Sequence, residues 1–205
     1  SDASQDLAVW GLLGTPPAEA WALQAAGDAV QIALPAAPGK GRALWVQPSA
    51  QAAPDLPRAT PADWAWAELE SGIAWVRSAT VEAFVPQMIN LEVVGGVSFK
   101  KGCYPGQEVV ARSQFRGTLK RRTYLAHAAS GFAVGCEVFA ANDPVQPCGT
   151  VVQVAPNPEG DGGVDALVSL QIAATEHTLS VVPAGAADGI ALQLLPLPYP
   201  LLDDI

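Results

Sequence analysis

Residues 119–127 read LKRRTYLAH, and they open the series of short apolar runs that decides the fold. CEVFA follows at 136–140, TVVQVA at 150–155, ALVSLQI at 166–172, TLSVV at 178–182 and IALQLL at 190–195. Each run is strand-sized and bounded by clusters of Gly, Pro, Asn and Asp, and such spacing predicts a small antiparallel β-barrel. The whole chain shares this punctuation: 19 Gly and 18 Pro in 205 residues disfavour long helical bundles.

Working toward the N-terminus, the texture changes at residues 117–120, which predicts two domains, 1–117 and 118–205. In the first, 7–13 reads as a strand, 17–26 as a short helix closed by Gly27, and 29–34 and 42–46 as strands joined by the turn PAAPGKG. Thr60, Pro61 and Asp63 form a helix start, in which Thr caps, Pro tolerates the first position and Asp faces the positive helix end; that helix is expected to run to about Ser71 and stop at Gly72. Residues 80–91, interrupted by Pro86, predict a short helix, a bend and a loop. Residues 105–115 predict a helix with Pro in its first turn, placing Cys103 at or just before its N-terminus. The fold class expected is therefore α+β, with no internal repeat.

Half of the residues are hydrophobic and six are Trp, too apolar a composition for a disordered chain. The net charge is −9, which argues against a protein wrapped in nucleic acid. No apolar run reaches the roughly 18 residues that a membrane helix needs, so no membrane association is expected. The first residues carry Asp2 and Asp6 where an export signal would carry positive charge. Cys103, Cys136 and Cys148 are irregularly spaced and form no C-x-x-C pair; the expectation is a cytoplasmic protein with three unrelated thiols and no metal site. His127 and His177 likewise match no metal-ligand spacing.

Charge is unevenly distributed. Seven of the eleven cations fall within residues 100–122 against one acid, Glu108, a net +6, leaving four cations against nineteen acids elsewhere, a net −15. Two readings of the basic segment stand: a solvated face balancing acidic neighbours, or a local site for a carboxylate or phosphate.

Inside it lies KKGCYPGQEVVAR at 100–112. Lys100, Lys101 and a helix N-terminus favour thiolate over thiol at Cys103, making it a better nucleophile, while Gly102 and Gly106 permit a sharp bend or close approach of a planar ligand. A small packed Cys flanked by turn glycines is the alternative, and composition alone leaves both open.

FVPQMINLE at 84–92, GVSFKKGCYPGQE at 96–108 and VAR at 110–112 resemble the YgfZ proteins, folate-binding relatives of the glycine-cleavage T-protein (aminomethyltransferase) associated with iron–sulfur enzymes and tRNA modification. The likeness is strongest over residues 64–126 and implies a T-protein-like folate-binding domain followed by a small barrel. AELESGI at 67–73 looks like the family's L-R-x-E-A-G stretch, so the resemblance makes Glu70 the pterin anchor; Glu68 stands where Arg is usual. Cys103 is the motif cysteine and the expected reactive group. Lys101, Tyr104, Gln107, Glu108 and Arg112 are candidate folate contacts, with Gly102 and Gly106 shaping the backbone, and Arg112 pairs either with a folate carboxylate or with Glu108 one turn earlier. Because the chain opens on residues that resemble the middle of that domain, it is expected to be a fragment or truncated product, with exposed surface that favours association.

The function implied is a tetrahydrofolate-binding accessory factor, using tetrahydrofolate or a one-carbon derivative, that supports iron–sulfur enzymes or their assembly proteins, including tRNA-modifying enzymes. Catalytic turnover is left open. The alternatives are a folate-dependent aminomethyl or one-carbon transferase, and an RNA- or protein-binding module using the basic segment 100–122.

Overall fold

The computed structural model describes residues 2–16, 18–117, 119–159, 162–185 and 188–201. It is a mixed α/β chain forming two compact units, Ser1–Ser71 and Gly72–Ile205.

The first unit is a four-stranded antiparallel sheet of β1 (Leu7–Leu13), β2 (Leu23–Ala26), β3 (Ala29–Leu34) and β4 (Arg42–Pro48), in the order β1-β4-β3-β2, with the helix α1 (Pro61–Glu70). Helix α1 begins as its sequence dictates. Thr60 accepts from the Asp63 N–H at 3.2 Å while the Asp63 carboxylate accepts from the Thr60 N–H at 2.8 Å, a closed capping box. The Thr60 N–H, helped by its hydroxyl, holds the Asp63 carboxyl below the ordinary carboxylate range. Where α1 meets β1, a Cβ on Gly11 would lie 2.6 Å from the Trp64 ring, so only glycine admits this approach.

The helix expected over 17–26 is not formed. Residues 23–26 are strand β2, paired with β3 from Leu23↔Ile32 to Ala26↔Ala29, and Pro17 lies outside the described residues. Gly27 and Asp28 supply the two-residue turn of this hairpin, and ladder bonds to β3 outweigh the helical propensity of a short Ala-rich stretch.

In the second unit, β5 (Arg121–Ala128), β6 (Glu137–Ala140), β7 (Gly149–Pro156), β8 (Val164–Gln171), β9 (Leu179–Val182) and β10 (Ile190–Leu195) close into a barrel in the order β10-β5-β8-β7-β6-β9. All six are the strands expected from the sequence, and every pairing is antiparallel. Val138, Val151, Ala166, Val168, Leu170 and Val181 are fully buried in its core. The β7–β8 ladder skips one residue between Val151 and Gln153.

Residues 72–117, which the sequence attached to the first domain, belong to the same compact unit as the barrel. They include two short 3₁₀ turns, Ser78–Thr80 and Pro86–Ile89, and the helix α2 (Gln107–Phe115). The outer side chains of β5, β7 and β8 hold them. The Thr123 and Ser169 hydroxyls donate to Met88 O at 2.9 and 3.1 Å, and Trp75 N donates to Gln153 Oε1 at 3.2 Å. Leu167 is consequently 0% exposed although core-facing Ala166 and Val168 are its neighbours, so β8 is buried on both faces.

Candidate functional site

The signature 100–108 folds as an exposed loop leading into α2. Cys103 is an exposed free thiol four residues before the first helical residue. Gly106 (φ 82°) makes the bend from which α2 starts, so Pro105 precedes the helix and does not sit in its first turn. A Cβ on Gly102 would meet nothing within 4 Å, which leaves open space beside Cys103.

Three neighbours of the thiol brace one another. Tyr104 N donates to Gln107 Oε1 at 3.1 Å and Gln107 N donates to Tyr104 O at 3.3 Å, closing the turn onto the helix. The Lys101 ammonium lies 4.8 Å from the Tyr104 ring centroid, a cation–π contact. Gln107 therefore has a structural use for its carbonyl, and its amide NH₂ remains as a donor. Glu108 and Arg112 are both exposed on α2, and no ion pair joins them among the described residues.

Helix α2 is fixed in place by two contacts. The fully buried Gln87 donates Nε2 to Val110 O at 2.8 Å, and Phe115 meets Phe99 edge-on with centroids 5.5 Å apart. The signature loop thus hangs between anchored points, the arrangement that presents a reactive side chain without burying it.

Glu70 lies in the first unit, as the last residue of α1. Its side chain is 13% exposed, and Lys40 reaches Oε2 at 3.4 Å while sitting 3.7 Å above the Trp66 ring centroid. Glu68, which stands where the resemblance expects Arg, is met by Arg42 of β4 at 3.6 Å. Arg42 is 5% exposed and also donates to Ser71 Oγ at 3.0 Å and Pro35 O at 2.8 Å. Burial lowers the pKa of its guanidinium, and Glu68 opposes that shift. Glu68 is thus paired by a cation from strand β4.

Glu70 and the signature residues thus belong to different units. Within each unit the sequence reading missed the supporting partners: Lys40 and Trp66 at Glu70, Arg42 at Glu68, Gln87 behind α2. Arg42 carried a signal, because a lone cation opening an apolar run (RALWV) asks for a buried acceptor. His127, read as ordinary, places Nδ1 2.7 Å from Oδ1 of the buried Asp165, and Asn157 Nδ2 donates to the same carboxylate at 2.9 Å.

No protein-family model matches this sequence.

Proposed function

We propose that the protein is a tetrahydrofolate-binding accessory factor that supports iron–sulfur enzymes, including those that modify tRNA. The observation that carries this reading is the presentation of Cys103, an exposed thiol within the K-G-C-Y-P-G-Q-E signature on a loop braced by Gln107 and Lys101. In its thiolate form this group is a nucleophile toward a carried one-carbon unit or toward a partner's disulfide, from which one sulfur leaves as thiolate.

One residue of the first unit has the chemistry a pterin needs. Glu70 is a largely buried carboxylate whose position Lys40 fixes, and a carboxylate accepts two N–H bonds from a 2-amino-pyrimidinone edge. In the second unit Lys101, Tyr104, Gln107, Glu108 and Arg112 offer cationic, aromatic and amide contacts along one exposed segment. Tetrahydrofolate, when bound, would supply the one-carbon unit, and Glu70 of the first unit would be the acceptor for its ring.

Calorimetric titration of tetrahydrofolate into the protein tests the reading. Glu70→Ala weakens binding by about tenfold or more, the loss of a hydrogen-bonded charged acceptor, while Cys103→Ala leaves affinity unchanged. Absence of tetrahydrofolate binding by the unsubstituted protein overturns the proposal.

A further inference from the structure

A cavity of about 520 Å³ lies within the second unit, between the turn Pro86–Ile89, helix α2 and the start of β5. Arg112 and Ser113 reach it from α2, Lys120 and Arg121 from the approach to β5 and its first residue, and Val109 contributes to an apolar wall. No acidic residue lines it.

In a chain with 20 acids and 11 bases, three of the cations converge here, and none of the three is in an ion pair among the described residues. Like charges facing one cavity repel, and the arrangement becomes favourable when an anion occupies it. The walls are preorganised. Gln87 locks α2 through Val110 O at 2.8 Å, and Arg121 uses one N–H on Cys148 O at 3.2 Å, which orients its planar fork and leaves further donors. The volume falls in the range of small-ligand sites, roughly 300–1,000 Å³.

We propose that this cavity binds a small phosphorylated ligand, with the phosphate held by Arg112, Lys120, Arg121 and the Ser113 hydroxyl and the ligand's apolar body against Val109. Three cations and a hydroxyl match the charge and acceptor oxygens of a phosphate dianion better than those of a single carboxylate. A concavity with an apolar wall on a chain of net charge −9 suits a compact ligand better than a long polyanion. Lys120 and Arg121 have no part in the folate reading, Arg112 is common to both, and the proposal does not rest on that reading.

The test is a ¹H–¹⁵N NMR titration with inorganic pyrophosphate. Saturable shifts are expected at the cavity residues, with affinity reduced about tenfold or more in Lys120→Glu and in Arg112→Gln and unchanged in Arg58→Gln, a cation of the first unit. Lys120 and Arg112 are exposed, so the variants keep the fold, and the same spectra check it. No saturable shift at millimolar pyrophosphate, or unchanged affinity in both cavity variants, overturns the proposal. Equal affinity for a dicarboxylate overturns the phosphate assignment, and binding of oligouridylate without binding of pyrophosphate makes the segment a nucleic-acid surface instead.

Discussion

Asn90 clasps both backbone groups of Thr123: its Nδ2 donates to Thr123 O at 2.8 Å and its Oδ1 accepts from Thr123 N at 3.2 Å. One side chain thus imitates a strand neighbour along β5 beyond its pairing with β10, from a left-handed backbone (φ 57°) that Asn tolerates better than most residues. Its Nδ2 also donates to Tyr199 Oη at 3.3 Å, and that hydroxyl donates to Gly72 O at 2.7 Å. The segment before α2 is therefore tied to the barrel by hydrogen bonds as well as by apolar contact.

Removing the clasp leaves two buried backbone groups of Thr123 unpaired. Asn90→Ala is expected to destabilise the second unit by about 3 kcal/mol, combining those losses with the left-handed strain of alanine. Urea denaturation followed by the ¹H–¹⁵N signals of second-unit amides measures this, and a loss below about 1 kcal/mol would show that water replaces the clasp at little cost.

Glu92 and Arg122 form an ion pair with side chains 2% and 5% exposed. Breaking it from one side strands a buried charge, so Glu92→Leu costs about 3–5 kcal/mol. The double variant Glu92→Leu with Arg122→Met is expected to recover much of that, because the desolvation penalty disappears with both charges. Additive losses in the double-variant cycle would mean that each residue is held mainly by other contacts.

The three thiols differ sharply in environment. Cys103 is exposed, Cys136 is intermediate, and Cys148 is buried, with its thiol donating to Val138 O at 3.3 Å and burial pushing its pKa up. A disulfide reagent should label Cys103 first, Cys136 more slowly and Cys148 only on unfolding. Cys103→Ser removes the fast phase and leaves the melting temperature unchanged; survival of the fast phase in that variant would refute the assignment.

Much of the fold could be read locally. The six barrel strands follow from apolar runs set between turn residues, and the start of α1 follows from Thr60, Pro61 and Asp63, because a strand's alternation and a helix cap are carried by neighbouring residues. The signature 100–108 likewise places Cys103 just before a helix, as the structure has it. The helix expected at 17–26 failed for the complementary reason: residues 23–26 are suited to either state, and the pairing with β3 that decides between them is a contact with another segment.

The division of the chain shows the same limit. The run ALVSL within β8 is apolar at four of its five positions, a sign of burial on both faces, but nothing in it states what covers the outer one. Sequence alone determined the barrel strands, the capped helix and the placement of the motif thiol, since each depends on residues a few positions apart. Tertiary structure alone decided that residues 72–117 belong with the barrel, that Arg42 answers Glu68, and that Arg112, Lys120 and Arg121 share one cavity. The first two relations join segments whose contacts gain energy only when folding removes both partners from water, and the third depends on the path of the backbone from α2 to β5, which no local pattern states.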